Sequence, residues 1–207
     1  MSVALASVQF SLPASPFPPL AVGFFGLGTG YLIYGTQELF SYPKRDEGVD
    51  RAVGVWGIWM PGFMQFITGV YLFLGLTLFG TFTAAPLYMA ALAFTAYGVH
   101  WFALGWIRLR GADARANIGM TVAFLAVSVL GCLVFFKAGD DPVGGLFIGL
   151  ICVYVSEFFA TLGSDAPSIS QPAGRALGFF HLGTGIYLMY LMFAVVLNFV
   201  LKYTLPV

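Results

Sequence analysis

The sequence predicts an all-α integral membrane protein, with six transmembrane helices around a central path through the protomer. Three observations carry that expectation. The first is composition: of 207 residues, 59% are apolar, 17% aromatic and only 9% charged, with a mean hydropathy of +0.90. A soluble domain carries about 25% charged residues, so these charges are too few to coat a water-facing surface. The second is that apolar stretches of spanning length recur, separated by short polar or Pro/Gly-rich breaks. The third is a phrase used twice, Gly23-Phe24-Phe25-Gly26-Leu27-Gly28-Thr29-Gly30 and Gly178-Phe179-Phe180-His181-Leu182-Gly183-Thr184-Gly185, identical at seven of eight positions. Small residues at three- and four-residue steps, such as Gly26 and Gly30, let a second backbone come close in a bilayer. They also leave a groove. The two copies are therefore expected to meet around a narrow path, with Gly28, Thr29, Gly183 and Thr184 offering backbone and hydroxyl groups to a solute.

The elements follow in order, as one transmembrane domain over residues 1–207. Pro13, Pro16, Pro18 and Pro19 make an extended opening tail, and a helix can begin just after them. Met1 to Pro19 lacks a basic n-region and a compact apolar core, so no signal peptide is expected there. The first span covers about 20–40 and stops at Ser41-Tyr42-Pro43, before the charges from Lys44 to Arg51. The second covers about 53–79, and Pro61 inside it predicts a kink, because proline removes a backbone hydrogen bond. An uncharged turn, Thr81 to Pro86, leads to the third span at about 87–107, which ends in Arg108, Arg110, Asp113 and Arg115. The fourth is about 118–136, closed by Lys137-Ala138-Gly139-Asp140. The fifth is about 143–162, and the polar run Ser164 to Pro172 precedes the sixth, about 174–201. Each span has about 20 residues or more, enough for a hydrocarbon core of roughly 30 Å.

Charge narrows the setting. Formal net charge is zero, which argues for no nucleic-acid partner; lipid and a small solute are the expected partners of a multi-pass protein of the cell membrane. Cys132 and Cys152 lie inside apolar segments and read as small buried hydrophobes, not a disulfide. The loops after spans one, three and five hold Lys44, Arg45, Arg51, Arg108, Arg110, Arg115 and Arg175, against Lys137 and Lys202 on the opposite side. That asymmetry places both termini outside the cytoplasm.

Ionisable side chains inside spans are costly and face bundle interiors. His100 lies about seven residues before the end of span three, Glu157 about six before the end of span five, and His181 about seven after the start of span six. At 1.5 Å per residue, all three sit roughly 10 Å below one membrane face. Either they form a proton-sensitive layer, or they are an inward polar cluster that fixes helix register. Gln65 is a further polar residue within a span. In span three, Tyr97 follows an apolar run and precedes Gly98, which leaves room for a solute beside the ring. Trp101 lies one turn on, along the same face.

These stretches resemble the acetate and succinate permease family. Pro19-Leu20-Ala21-Val22-Gly23-Phe24-Phe25-Gly26 is similar to its first-helix motif, although the family Asn is absent and Pro16 stands near its place. Gly57-Ile58, Gly62, Gln65, Gly69 and Phe79-Gly80 follow its second-helix spacing. Phe94-Thr95-Ala96-Tyr97-Gly98 and Trp101 follow the third, and Gly178, Leu182, Gly185, Tyr190-Leu191 and Leu197-Asn198 the last. The resemblance implies a six-helix carboxylate channel or transporter, assembled as a hexamer, with Phe25 and Tyr97 at the constriction. A third constriction residue, usually Leu in the family, does not carry over from spans four and five. Gln65 and Trp101 would join the lining, and His100, Glu157 and His181 would handle protons.

The six-helix urea and amide channels are a second likeness, through Gly174, Arg175 and Gly178 and through Asp141-Pro142-Val143. Their tryptophan-rich fifth helix is missing, and Thr184 stands where their sixth-helix Glu would be. Two readings of another class stay open: haem ligation by His100 and His181, the only two histidines, and a structural subunit of a larger complex. No hydrolase, P-loop or dinucleotide motif occurs, so no enzymatic activity and no cofactor are expected.

Overall fold

A computed structural model describes residues 19–207. The proline-rich opening, with the expectations of an extended tail and no signal peptide, falls almost wholly outside the described residues. Every regular element among the described residues is helical: α1 (Leu20–Phe40), α2 (Glu47–Gly57), α3 (Met64–Phe73), α4 (Pro86–Arg110), α5 (Ile118–Ala138), α6 (Asp141–Ala160) and α7 (Pro167–Leu201). Two π-helical turns, Ile58–Phe63 and Leu74–Leu78, extend α2 and α3 into one continuous rod from Glu47 to Leu78.

Local chemistry sets the boundaries. Asp46 caps α2 by accepting from the Val49 N–H, and Asp140 caps α6 by accepting from the Val143 N–H. Pro86 and Pro167 open α4 and α7, where a missing N–H costs nothing. Gly111 and Gly139 close α4 and α5 with positive φ, 64° and 78°. Pro61 is absorbed by the π-turn Ile58–Phe63, and the rod continues through it. The last helix starts earlier than expected, because Pro167 initiates it, and it runs on through Pro172 inside it at the cost of a backbone hydrogen bond.

Among the described residues, five helices are long and apolar enough to cross a membrane. The first helix is not among them. At 21 residues it is as long as α5, but its glycines, tyrosines and the Gln37-Glu38 pair lower its hydropathy. Those residues are tolerated because α1 is enclosed by α7 on one side and by the α2–α3 rod on the other.

Glycines bring the helices into contact. A Cβ on Gly54 would lie 2.6 Å from the Gly105 carbonyl oxygen, and one on Gly105 equally 2.6 Å from that of Gly54. The α2–α3 rod and α4 therefore touch backbone to backbone, which only glycine allows. Along α1 and α7 the twin phrases run antiparallel. A Cβ on Gly28 would meet the Gly185 carbonyl oxygen at 3.2 Å, and one on Gly35 that of Gly178 at 2.9 Å. Helix α5 is the most peripheral, with 22% of its apolar window buried, and it docks on α6 through the Phe135–Phe147 stack, 5.4 Å between centroids.

Candidate functional site

Two cavities approach each other from opposite ends of the bundle. The larger, about 650 Å³, lies among the later turns of α1, α4 and α6 and the first half of α7, with exposed Arg45, Gly111 and Ala112 at its mouth. The smaller, about 260 Å³, lies among the first turns of α1, α4 and α6 and the end of α5. Their linings alternate by one helical turn. Leu27 faces the small cavity and Tyr31 the large one on α1; Tyr97 and Trp101 do the same on α4, and Leu150 and Tyr154 on α6. All six are buried to 3% exposure or less. One turn rises about 5–6 Å, so the septum between the cavities is that thin.

Aromatic contacts hold the septum. The Tyr97 and Tyr154 rings stack at 5.8 Å, Trp101 lies 5.9 Å from Tyr31, and the Tyr97 hydroxyl is 2.9 Å from Ser128 Oγ on α5. The Tyr97 hydroxyl thereby gains a partner inside the bundle, where an unpaired polar group is costly.

The large cavity holds the polar layer expected from depth. His100, Glu157 and His181 all line it. His100 Nε2 stands 4.0 Å from Glu157 Oε1 with no hydrogen-bond partner, while its Nδ1 lies 3.1 Å from the Tyr154 hydroxyl. His181 Nδ1 donates to Glu38 Oε2 at 2.6 Å. Toward the mouth, Arg108 donates to Asp50 at 3.2 Å and to Gln37, and its guanidinium lies 4.6 Å from the Tyr34 ring centroid. Outside the spans, Arg115 joins Asp113 and Asp165, tying the α4–α5 connection to the α6–α7 connection. The Arg115 hydrogen bonds hold the Asp113 carboxyl down at about 2.

The small cavity is apolar. Phe24, Phe94, Leu146, Phe147 and Leu188 dominate it. Gln65, fully buried, borders it with Nε2 donating to the Pro61 carbonyl at 3.1 Å, which leaves Oε1 without a partner. Among the described residues, Asp140 is its one carboxylate.

Several expected residues lie elsewhere. Phe25 is 39% exposed and lines neither cavity; Phe24, one residue earlier, is 3% exposed and faces the small one. Gly28, Thr29, Gly183 and Thr184 line neither cavity. Gly28 is the contact with α7, and the Thr29 hydroxyl is satisfied by the Phe25 carbonyl. Gly183 looks outward and Thr184 packs on Gly149 of α6. The small residues of the duplicated phrase pack helices together, Gly28 on α7 and Gly26 and Gly30 on the Met60-Pro61 turn, while Phe24, Leu27 and His181 of the same phrase line the cavities. Sequence reasoning missed Phe24, Tyr31, Glu38, Leu150 and Tyr154 as lining residues. Their signal was helical phase relative to Tyr97 and His100, which becomes readable only once the neighbours of each helix are known.

These observations define an all-helical, multi-pass membrane protein with two opposed cavities closed by a thin aromatic septum. The fold is shared with a solved structure, that of the bacterial acetate channel SatP, at a TM-score of 0.72 and 20% sequence identity, over 93% of this chain and 99% of that chain. No family model and no curated protein matches the sequence. The likeness noted in the helix motifs is thus met at the level of the fold.

Proposed function

We propose that the chain is a membrane channel or transporter for a small carboxylate such as acetate or succinate, coupled to protons. The transmembrane unit comprises six spans, α1 being the sixth beside the five apolar ones, and the path runs through the protomer. The observation that carries this reading is the pair of opposed cavities separated by a single helical turn. A barrier so thin needs only side-chain motion to open, and a hydrophobic constriction of that kind passes solutes stripped of water. Tyr97 narrows the path, with Leu150 as the leucine that the family resemblance implies and Phe24 in the place expected of Phe25. Arg108 draws an anion to the wide cavity, and the Glu38–His181 and His100–Glu157 pairs offer side chains that can hold or pass a proton. Assembly as a hexamer follows from the resemblance.

The test is uptake into proteoliposomes followed by stopped-flow light scattering, with acetate, succinate and urea compared. The expected result is fast protein-dependent acetate uptake, with urea no faster than in empty vesicles. Urea uptake without acetate uptake would assign the chain to the amide channels instead. No protein-dependent uptake of any of the three would end the transport reading.

A further inference from the structure

The two cavities differ in what they can accept, and the difference bears on the chemical form of the solute. Among the described residues, none lining the small cavity is basic, and the one carboxylate there is that of Asp140. A carboxylate anion would meet apolar walls and a like charge there, and a buried ion without a counter-charge is strongly disfavoured. Gln65 supplies the other half of the argument. Its amide orientation is fixed, because the Pro61 carbonyl can only accept, so Nε2 must face it. Among the described residues, Oε1 is left as a buried acceptor with no hydrogen-bond donor. Buried polar groups are almost always paired, and an exception calls for a missing partner.

Resting on the transport reading above, we infer that the small cavity selects the neutral, hydrogen-bond-donating form of the solute, an undissociated carboxylic acid or its amide isostere, with Gln65 Oε1 accepting its O–H or N–H. The wide cavity is lined by acids, Glu38, Asp50 and Glu157, but also by Arg45, Arg108 and two histidines, so only there do cationic side chains stand to receive the anion; beyond the septum the solute travels as an uncharged molecule. Gln65 is then a specificity residue, since a site built to bond a donor rejects an analogue that lacks one.

The experiment is competition against labelled acetate uptake by the full chain in proteoliposomes at pH 5.5, with acetamide and acetone as competitors of matched shape. Acetamide carries N–H donors and acetone none. Acetamide should inhibit about fivefold more strongly, the worth of one net hydrogen bond, and Gln65→Leu should abolish the difference. The comparison on the unaltered chain stands even if Gln65→Leu does not fold. Equal inhibition by the two competitors, or an undiminished acetamide preference in Gln65→Leu, overturns the inference while acetate uptake itself upholds the transport reading. Absence of any protein-dependent uptake overturns both.

Discussion

Phe24 and Phe25 are adjacent in the chain and about 100° apart around the helix, and that rotation separates a cavity wall from an outer face. Phe24→Ala should broaden size selectivity, admitting longer carboxylates in the liposome assay, whereas Phe25→Ala should leave discrimination among solutes as it is. The reverse pattern would put the path on the other face of α1. Tyr97 was legible as a residue of the bundle interior because a large ring beside Gly98 in an apolar run is conspicuous. Its partners were not, since Ser128 and Tyr154 come from helices whose phase no local pattern reveals. Tyr97→Phe removes only the hydroxyl contact, and interhelical hydrogen bonds in bilayers average about 0.6 kcal/mol, so it should fold and keep its size selectivity. Tyr97→Ala opens the septum and should raise the flux of larger solutes. The His100, Glu157 and His181 layer was readable from depth alone, because so few ionisable residues lie in the spans that their heights could be compared directly. Glu38 is legible in the sequence only as a polar residue near a helix end, where a charge ordinarily needs no explanation, and its pairing with His181 is not.

At the level of elements, composition and breakers located the helices, but packing decided what their small residues do. The glycine repeats announced close approach without saying whether a hole or a contact results; the 2.9 Å between a Gly35 Cβ and the Gly178 carbonyl answers that for α1 and α7. Gly105→Ala should push α4 off the α2–α3 rod, since its Cβ would lie 2.6 Å from a carbonyl oxygen that cannot turn away. Overpacking of this kind costs about 1–3 kcal/mol, visible as a lower Tm in detergent, whereas Gly119→Ala, with nothing within 4 Å, should leave Tm unchanged. The Arg115 tie between the two connections behaves differently with pH. Asp113 is depressed from 3.8 to about 2, so its share of the tie is complete above the ordinary carboxylate range and is lost only as pH falls through about 2. Arg115→Gln should therefore leave the pH profile of uptake between pH 5 and 8 unaltered. A profile that shifts with this substitution would move the proton-sensitive step from the buried layer to the surface.

For the whole molecule, the unequal cavities make orientation a functional matter. The wide polar cavity opens at the end bearing Arg45, Arg108 and Arg115, the same end that holds seven of the nine Lys and Arg residues. The positive-inside rule leads us to expect that end at the cytoplasm. The anion-receiving cavity then faces the cell interior, and the apolar cavity selecting the neutral acid faces outward. An acidic exterior, which raises the undissociated fraction on that side, would favour entry. Thiol labelling tests the arrangement in a background where Cys132 and Cys152 are replaced by Ala, with Lys44→Cys on the α1–α2 connection or Lys137→Cys at the end of α5. In right-side-out vesicles an impermeant maleimide should modify the second variant at once and the first only after permeabilisation. The opposite order would turn the anion-receiving cavity outward, and with it the sense in which an external pH drop drives uptake.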